Sequence, residues 1–342
     1  MNKKRIAING FGRIGRSFLK LAEKSDSIEV VAINDLGDIE NLAYLLKYDT
    51  VYGISDLNIE TKDNELIIDG HSIAFLSERD PSKLPWKDMS IDIVLESTGI
   101  FASYEKSKVH LDAGAKRVVV SAPIKDTPPE GITGATVLVG INEGELETRD
   151  ISSNASCTTN AGGPIIQILE EEVGIEKALL NTVHGYTATQ SLVDGPNKKD
   201  FRKGRAAAQN IIPSTTGAAI ATTKAIPALE GKFDGIALRV PVLTGSIVDI
   251  TFVAKRDVTA EEINDILTKA SKEERWSRTF SVTNDKIVSS DIIGNLFASI
   301  ADLSFTRVVG GNLVKVLSWY DNEMGYTNSL LVHVERSASY IN

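Results

Sequence analysis

The sequence predicts an α/β protein, with a doubly wound, mainly parallel sheet first and an α+β domain with a mainly antiparallel sheet second. Three observations carry that expectation. The first half alternates short β-branched runs with amphipathic helical stretches, the pattern of parallel strands joined by helical crossovers. After about residue 150 the alternation yields to longer strands with few crossovers. A chain of 342 residues is long enough for two domains of ordinary size.

Taken in order, strands are expected over 5–9, 28–34, 91–97, 117–121 and 136–139. Helices are expected between them over 13–24, 39–47 and 104–113, the last closed by Gly114. Segments 64–69 and 71–76, joined through Asp69-Gly70, read as a hairpin. In the second half a helix opens near Cys157 and runs to about Glu172, followed by a strand over 178–184. A long irregular stretch then extends from Gly185 to about Arg205, and loops of that length inside a compact domain are often functional. Strands over 235–240 and 246–254 precede a helix at Thr259, which has capping-box spacing to Glu262, and further strands run up to 314–319. The expected domains are 1–155 and 156–319, with the segment from about 320 to 342 packing back on the first.

Composition narrows the function. A hydrophobic content of 42% with 24% charged residues provides for a substantial core. No apolar run is long enough to span a membrane, and Ile6-Ala7-Ile8 after the basic start Met1–Arg5 is too short for a signal peptide. The single cysteine cannot form an internal disulfide, which fits a reducing, cytoplasmic location. A net charge of −9 argues against nucleic acid as the primary partner. No metal site is expected.

Gly10-Phe11-Gly12-Arg13-Ile14-Gly15 is G-x-G-x-x-G, a weak signal alone. Here it follows a predicted strand and opens a predicted helix, where the glycines permit a tight turn and close approach of a pyrophosphate to the helix N-terminus. Asp35 closes the next strand, 20 residues after Gly15, where a carboxylate reaches the adenosine ribose hydroxyls. That carboxylate repels a 2′-phosphate, and Leu36-Gly37-Asp38 supplies no arginine to bind one. The first domain therefore reads as a Rossmann domain that prefers NAD to NADP.

Cys157 lies in Ser153-Asn154-Ala155-Ser156-Cys157-Thr158-Thr159-Asn160, between a short strand and a helix. A helix N-terminus favours thiolate, and its amides can hold an oxyanion forming beside the sulfur. A lone cysteine is more often a small buried hydrophobe. The Ser, Thr and Asn neighbours are poor company for a core position, although a polar turn without chemistry would look the same. Of four histidines, His184 is the best partner, since it ends a strand and opens the long loop, while His71, His110 and His333 sit in less promising settings.

The octet around Cys157, Thr182-Val183-His184, Glu78-Arg79-Asp80-Pro81, Glu96–Phe101, Leu238-Arg239-Val240-Pro241 and Ser318–Glu323 together resemble the phosphorylating glyceraldehyde-3-phosphate dehydrogenase family along essentially the whole chain. The resemblance implies Cys157 as nucleophile and His184 as base and later acid. It implies Thr187 and Arg239 on the substrate's phosphate. Ser156, Thr158, Thr216 and Gly217 would hold inorganic phosphate, with Arg202 serving the same region. On the cofactor side it implies Gly10, Gly12, Arg13, Ile14, Gly15, Asp35, Arg79, Ser121 and Asn322, the last orienting the nicotinamide. The implied reaction is NAD-dependent oxidation of glyceraldehyde 3-phosphate through a thiohemiacetal and a thioester, with phosphate releasing 1,3-bisphosphoglycerate. A homotetramer is implied as well. Ala161 departs from the second cysteine that many members carry four residues after the nucleophile. Two other readings stay open: a sister enzyme for erythrose 4-phosphate on the same scaffold, and a non-catalytic NAD- or RNA-binding module.

Overall fold

The computed structural model describes residues 3–198 and 200–341, so Met1, Asn2, Asn342 and Lys199 of the basic run 198–205 lie outside the described residues. The chain forms two compact units, one containing residues up to Ala155 together with those from Leu330 onward, the other Ser156–Ser329. Among the described residues, no helix is long and apolar enough to cross a membrane.

The first unit is built on a nine-stranded sheet, ordered Gly134–Thr136, Ile151–Ser153, Arg117–Val120, Ile93–Glu96, Lys4–Asn9, Ile28–Asn34, His71–Leu76, Glu65–Ile68 and Ile59–Lys62. The first seven of these strands run parallel and the last two are antiparallel. Strand order reverses on either side of Lys4–Asn9, so a crevice opens at the carboxyl ends of that strand and Ile93–Glu96, where open α/β sheets bind ligands. The central strands are apolar through their middles because both faces are covered, with Ile6, Ile8, Ile33, Val94 and Leu95 fully buried. In the hairpin, Asp69 and Gly70 both take positive φ (48° and 87°), the requirement of a type I′ turn. The expected strand over 136–139 is instead Gly134–Thr136. Its continuation leaves the sheet because the Asn142 amide takes the Leu138 N–H and donates to the Thr136 carbonyl. Ile59–Lys62 extends the sheet beyond expectation, and Ile151–Ser153 is the short strand expected before the helix at Cys157.

The second unit carries a seven-stranded sheet, ordered Ile212–Thr215, Phe233–Val240, Ile175–Gly185, Ser246–Ala254, Leu313–Tyr320, Ser299–Val309 and Phe280–Thr283. Four of its six pairings are antiparallel. Strand Ser246–Ala254 alternates buried and half-buried residues, as a sheet packed more tightly on one face requires. Helices Cys157–Glu172 and Ala260–Ala270 pack on the sheet, and the second opens on the expected cap, Thr259 Oγ1 accepting from Glu262 N at 3.1 Å. Ala218–Ala225 is a further helix that the apolar periodicity did not reveal. Among the described residues, the stretch from Tyr186 to Arg205 is irregular except for a 3-10 turn over Phe201–Gly204. The last helix, Met324–Ser339, contributes residues to both units.

Candidate active site

In the first unit, a cavity of about 480 Å³ opens at the crevice, within the range of small-molecule sites. Gly10, Gly12, Asp35 and Arg79 of the expected residues line it. Gly10 has φ +97°, and a Cβ there would come within 2.7 Å of Thr98 N, so only glycine lets the two loops meet. At Gly15 a Cβ would stand 2.3 Å from the Gly10 carbonyl, which brings the helix close under the turn. Gly12 caps the helix Arg13–Ala22 without a side-chain bond, so no side chain closes that end to an anion. Asp35 Oδ2 accepts from Phe11 N at 2.6 Å and Oδ1 from Gly37 N at 2.8 Å, which fixes the carboxylate beside the glycine loop. These features fit a dinucleotide with its ribose at Asp35.

Three expected cofactor residues sit differently. Arg13 turns its guanidinium to Asp49 at 2.9 Å, and neither it nor Ile14 lines the cavity, which leaves their place at the helix start as their link to it. Ser121 Oγ donates to the Glu96 carbonyl at 3.2 Å and is also absent from the lining. Asn9, Asn34, Glu78 and Thr98 do line the cavity, and sequence reasoning did not single them out. Glu78 and Thr98 lie in stretches that carry the resemblance, while Asn9 and Asn34 were marked only by their place at strand ends.

In the second unit, Ser156 is the N-cap of Cys157–Glu172, its Oγ accepting from Thr159 N at 3.1 Å, so Cys157 is the first helical residue. The chain enters this helix through Ala155, whose φ of +54° is unusual for a residue with a Cβ. The Ala155 N–H donates to Ser153 Oγ at 3.0 Å and holds that turn. Cys157 Sγ lies 3.3 Å from His184 Nε2, which comes from the end of strand Ile175–Gly185. Nδ1 of the same ring is 2.6 Å from Arg239 Nη1 and 2.6 Å from the Gly185 carbonyl, to which Arg239 Nη1 also donates at 3.0 Å. A guanidinium can only donate, so here Nδ1 accepts and the ring proton sits on Nε2, towards sulfur.

Burial pushes the Cys157 thiol up, while Arg239 and the Thr158 hydrogen bonds pull it down. The helix-start effect expected from the sequence is thus opposed by desolvation. Burial, then Arg239, lower His184 to about 3, while the Gly185 carbonyl raises it. Either charge alone is disfavoured in this site. In the other tautomer, with Nδ1–H on the Gly185 carbonyl, a proton passed from Sγ to Nε2 creates both charges together, each compensating the other, so the two groups are coupled. Beneath them the Tyr320 hydroxyl bridges Thr158 Oγ1 at 3.0 Å and Thr182 Oγ1 at 2.7 Å, and its ring meets the His184 ring edge-on. Tyr320 was not anticipated, since a tyrosine ending a strand of the octapeptide Leu313–Tyr320 reads as packing.

The remaining expected anion residues are not hydrogen-bonded into this cluster among the described residues. Thr187 Oγ1 meets Thr189 Oγ1 at 2.9 Å, and Thr216 Oγ1 accepts from Ala218 N at 3.1 Å beside Gly217. Arg202 pairs with Asp200, at 3.1 and 3.3 Å to its two oxygens, and is largely exposed. Asn322 is buried and its Oδ1 accepts from Gly245 N and Ser246 Oγ.

A nucleotide-sized crevice on a doubly wound sheet, and a thiol set against an imidazole in the same chain, are features of the NAD-dependent dehydrogenase class. Residues 4–104 match the glyceraldehyde 3-phosphate dehydrogenase NAD binding domain, and residues 156–322 match the C-terminal domain of that enzyme. Over 330 residues the chain is 46% identical to glyceraldehyde-3-phosphate dehydrogenase of Streptomyces coelicolor, covering 96% of each chain. It is 45% identical to glyceraldehyde-3-phosphate dehydrogenase 1 of Kluyveromyces lactis, covering 98% of this chain and 99% of the relative. With the enzyme of that name from Salmonella typhimurium it shares 45% identity over 96% of this chain and 97% of the relative. The chain belongs to the glyceraldehyde-3-phosphate dehydrogenase family, and its cofactor is NAD.

Proposed function

We propose that the chain oxidises D-glyceraldehyde 3-phosphate with NAD and inorganic phosphate to 1,3-bisphosphoglycerate, through a thiohemiacetal and a thioester on Cys157. The observation that carries this reading is the 3.3 Å approach of Sγ to His184 Nε2 at a helix start. NAD, when bound, supplies the acceptor for the hydride that the oxidation releases. Gly10, Gly12 and Asp35 would hold it, and the Asn322 NH2 would meet the nicotinamide carboxamide.

In this reading the substrate's phosphate, held with Thr187, draws Arg239 away from Nδ1, because a phosphate is the stronger acceptor for a guanidinium. The ring then exchanges tautomer, losing the Nε2 proton to water and taking one from water at Nδ1, which donates to the Gly185 carbonyl and leaves the Nε2 lone pair facing sulfur. Removing Arg239 also removes one of the two causes that lower His184. Sγ gives its proton to Nε2 and attacks the aldehyde carbon; the C–S bond forms and the carbonyl π pair passes to oxygen. His184 returns the proton to that oxygen, giving a thiohemiacetal whose oxygen the Cys157 amide supports. His184 next removes the hydroxyl proton as the hydride departs, leaving the thioester. An oxygen of inorganic phosphate, held by Ser156, Thr158, Thr216, Gly217 and Arg202, adds to the thioester carbon. The C–S bond breaks, sulfur leaves as thiolate, and His184 reprotonates it. We place the enzyme in the cytoplasm, a reading that its single free thiol supports, and we propose that it works as a homotetramer.

The test follows NADH formation with the aldehyde, NAD and phosphate. Turnover should require phosphate, and Cys157→Ser should lower it at least about a thousandfold while NAD still binds. Substantial turnover in that variant contradicts the mechanism. Phosphate-independent oxidation that prefers the four-carbon erythrose 4-phosphate contradicts the substrate.

A further inference from the structure

Three polar residues end the three central strands of the first sheet side by side. Asn34, Asn9 and Glu96 are in register across Ile28–Asn34, Lys4–Asn9 and Ile93–Glu96. They are 5%, 2% and 1% exposed. A glutamate so deeply buried needs partners, and Glu96 has four, all of them donors. Oε2 accepts from Asn9 Nδ2 at 2.6 Å and faces His110 Nε2 at 3.2 Å, while Oε1 accepts from Thr98 N at 2.8 Å and from Thr98 Oγ1.

The direction of every bond can be worked out. Trp86 Nε1 has only an N–H to give, and it gives it to His110 Nδ1 at 3.2 Å. Nδ1 therefore carries a lone pair and the ring proton is on Nε2, donated to Glu96. The 3.4 Å approach of Asn9 Nδ2 to that nitrogen is two donors sharing one carboxylate oxygen. From Asn9 the chain continues outward: Oδ1 accepts from Asn34 Nδ2 at 2.8 Å. Asn34 then clasps one residue's backbone, Nδ2 donating to the Glu78 carbonyl at 3.0 Å and Oδ1 accepting from Glu78 N at 2.8 Å. On the other arm, Thr98 Oγ1 accepts from Ile100 N at 3.0 Å. Both arms end on the dinucleotide cavity, which Asn34, Glu78, Arg79, Thr98 and Ile100 line and which Glu96 and His110 do not.

We propose that Glu96, oriented by His110, is the positioning residue of the cofactor site. It holds segments 78–79 and 98–100 in the shape that takes the adenosine half of NAD. This rests on the reading of the cavity as the dinucleotide site. The network is polar in one direction, so it cannot absorb an amide at its hub. If Gln at position 96 turned its NH2 to Asn9, that amide would flip, Asn34 would follow, and an oxygen would face the Glu78 carbonyl. His110 cannot reverse either, because Nδ1–H would meet the Trp86 N–H. Turned the other way, the NH2 meets the Thr98 backbone N–H.

The experiment compares Glu96→Gln with the natural chain by calorimetric titration of NAD and of ADP-ribose, alongside steady-state kinetics. Both Kd values should rise by the same factor, about tenfold or more, with KM for NAD rising in parallel. The aldehyde KM, kcat at saturating NAD and the rate of Cys157 alkylation without NAD should stay within about twofold. An NAD Kd within about twofold of the natural chain's overturns the inference. So does a comparable loss in the alkylation rate, which marks a general structural defect. Should Glu96→Gln fail to fold, Asn34→Asp keeps the acceptor for Glu78 N but loses both donors. It should raise the two Kd values alike, and an unchanged Kd there also overturns the inference. If the natural chain's NAD affinity is indifferent to Asp35→Ala, the cavity reading itself fails and the inference with it. Asp35-dependent binding unmoved by Glu96→Gln defeats the inference alone.

Discussion

At the scale of residues, chemistry depends on His184 having two competitors for one nitrogen. Arg239 and the Gly185 carbonyl both stand 2.6 Å from Nδ1, and they demand opposite tautomers. With Arg239 on Nδ1 the Nε2 proton points at sulfur, and with the Gly185 carbonyl on Nδ1 the Nε2 lone pair does, so the second tautomer is the one that activates the thiol. The thiol is already pushed up by burial, so its reactivity near neutral pH depends on the imidazole as proton acceptor. In His184→Asn, turnover should fall by about 10²–10⁴-fold, and alkylation of Cys157 by iodoacetamide at pH 7 should slow as well. Alkylation as fast as in the unsubstituted chain would mean that the helix start and Arg239 suffice to activate sulfur.

At the scale of elements, the last helix depends on a buried neutral histidine. His333 Nε2 meets Ser152 Oγ at 2.7 Å and Nδ1 faces Asn154 Oδ1 at 3.3 Å, tying Met324–Ser339 to strand Ile151–Ser153. Burial lowers His333 to about 4. A depressed value means the unfolded chain binds the proton more readily, so the stability is complete above about pH 6.5 and falls as pH drops towards 4. Over that window the loss from His333 is on the order of 3 kcal/mol. His333→Gln should flatten the fall of Tm between pH 7 and 4, and an identical slope in the variant would assign the acid sensitivity elsewhere. Elements were legible where a local rule applies: Asp69-Gly70 demands its turn, and Thr259 with Glu262 its helix start. Ile59–Lys62 did not show, since Ile-Glu-Thr-Lys has no apolar run to mark it, unlike the equally short Ile93–Glu96. Ala218–Ala225 is built of small residues without an apolar stripe.

At the scale of the whole molecule, the site was legible in proportion to how local its chemistry is. Gly10, Gly15 and Asp35 stand out because a tight turn and a strand end constrain residue type within a short window. Glu96, Asn9 and Asn34 did not, since their bonds span 87 and 25 residues and each reads alone as an ordinary polar residue. Arg13 and Arg202 show the converse. The family resemblance, not a local rule, implies a ligand for each, and in the structure nearby Asp49 and Asp200 engage the side chains. The second unit leaves Leu179 and Ile220 more than half exposed around an open concavity of about 820 Å³, and Leu192, Val193 and Phe201 are still more exposed. Apolar groups so placed favour association with further copies. Sedimentation should give the mass of four chains, and a monomer across the working concentration range would contradict the proposed homotetramer.

The most direct measurement of the central claim stops the reaction between its two halves. The protein is mixed with D-glyceraldehyde 3-phosphate and NAD without phosphate, quenched in acid, digested and weighed by mass spectrometry. The peptide containing Cys157 should carry the phosphoglyceroyl group as a thioester, formed together with a burst of NADH, and phosphate added before the quench should clear it. NADH formed with no acyl group on Cys157, or with the group on another residue, would contradict a covalent thiol mechanism.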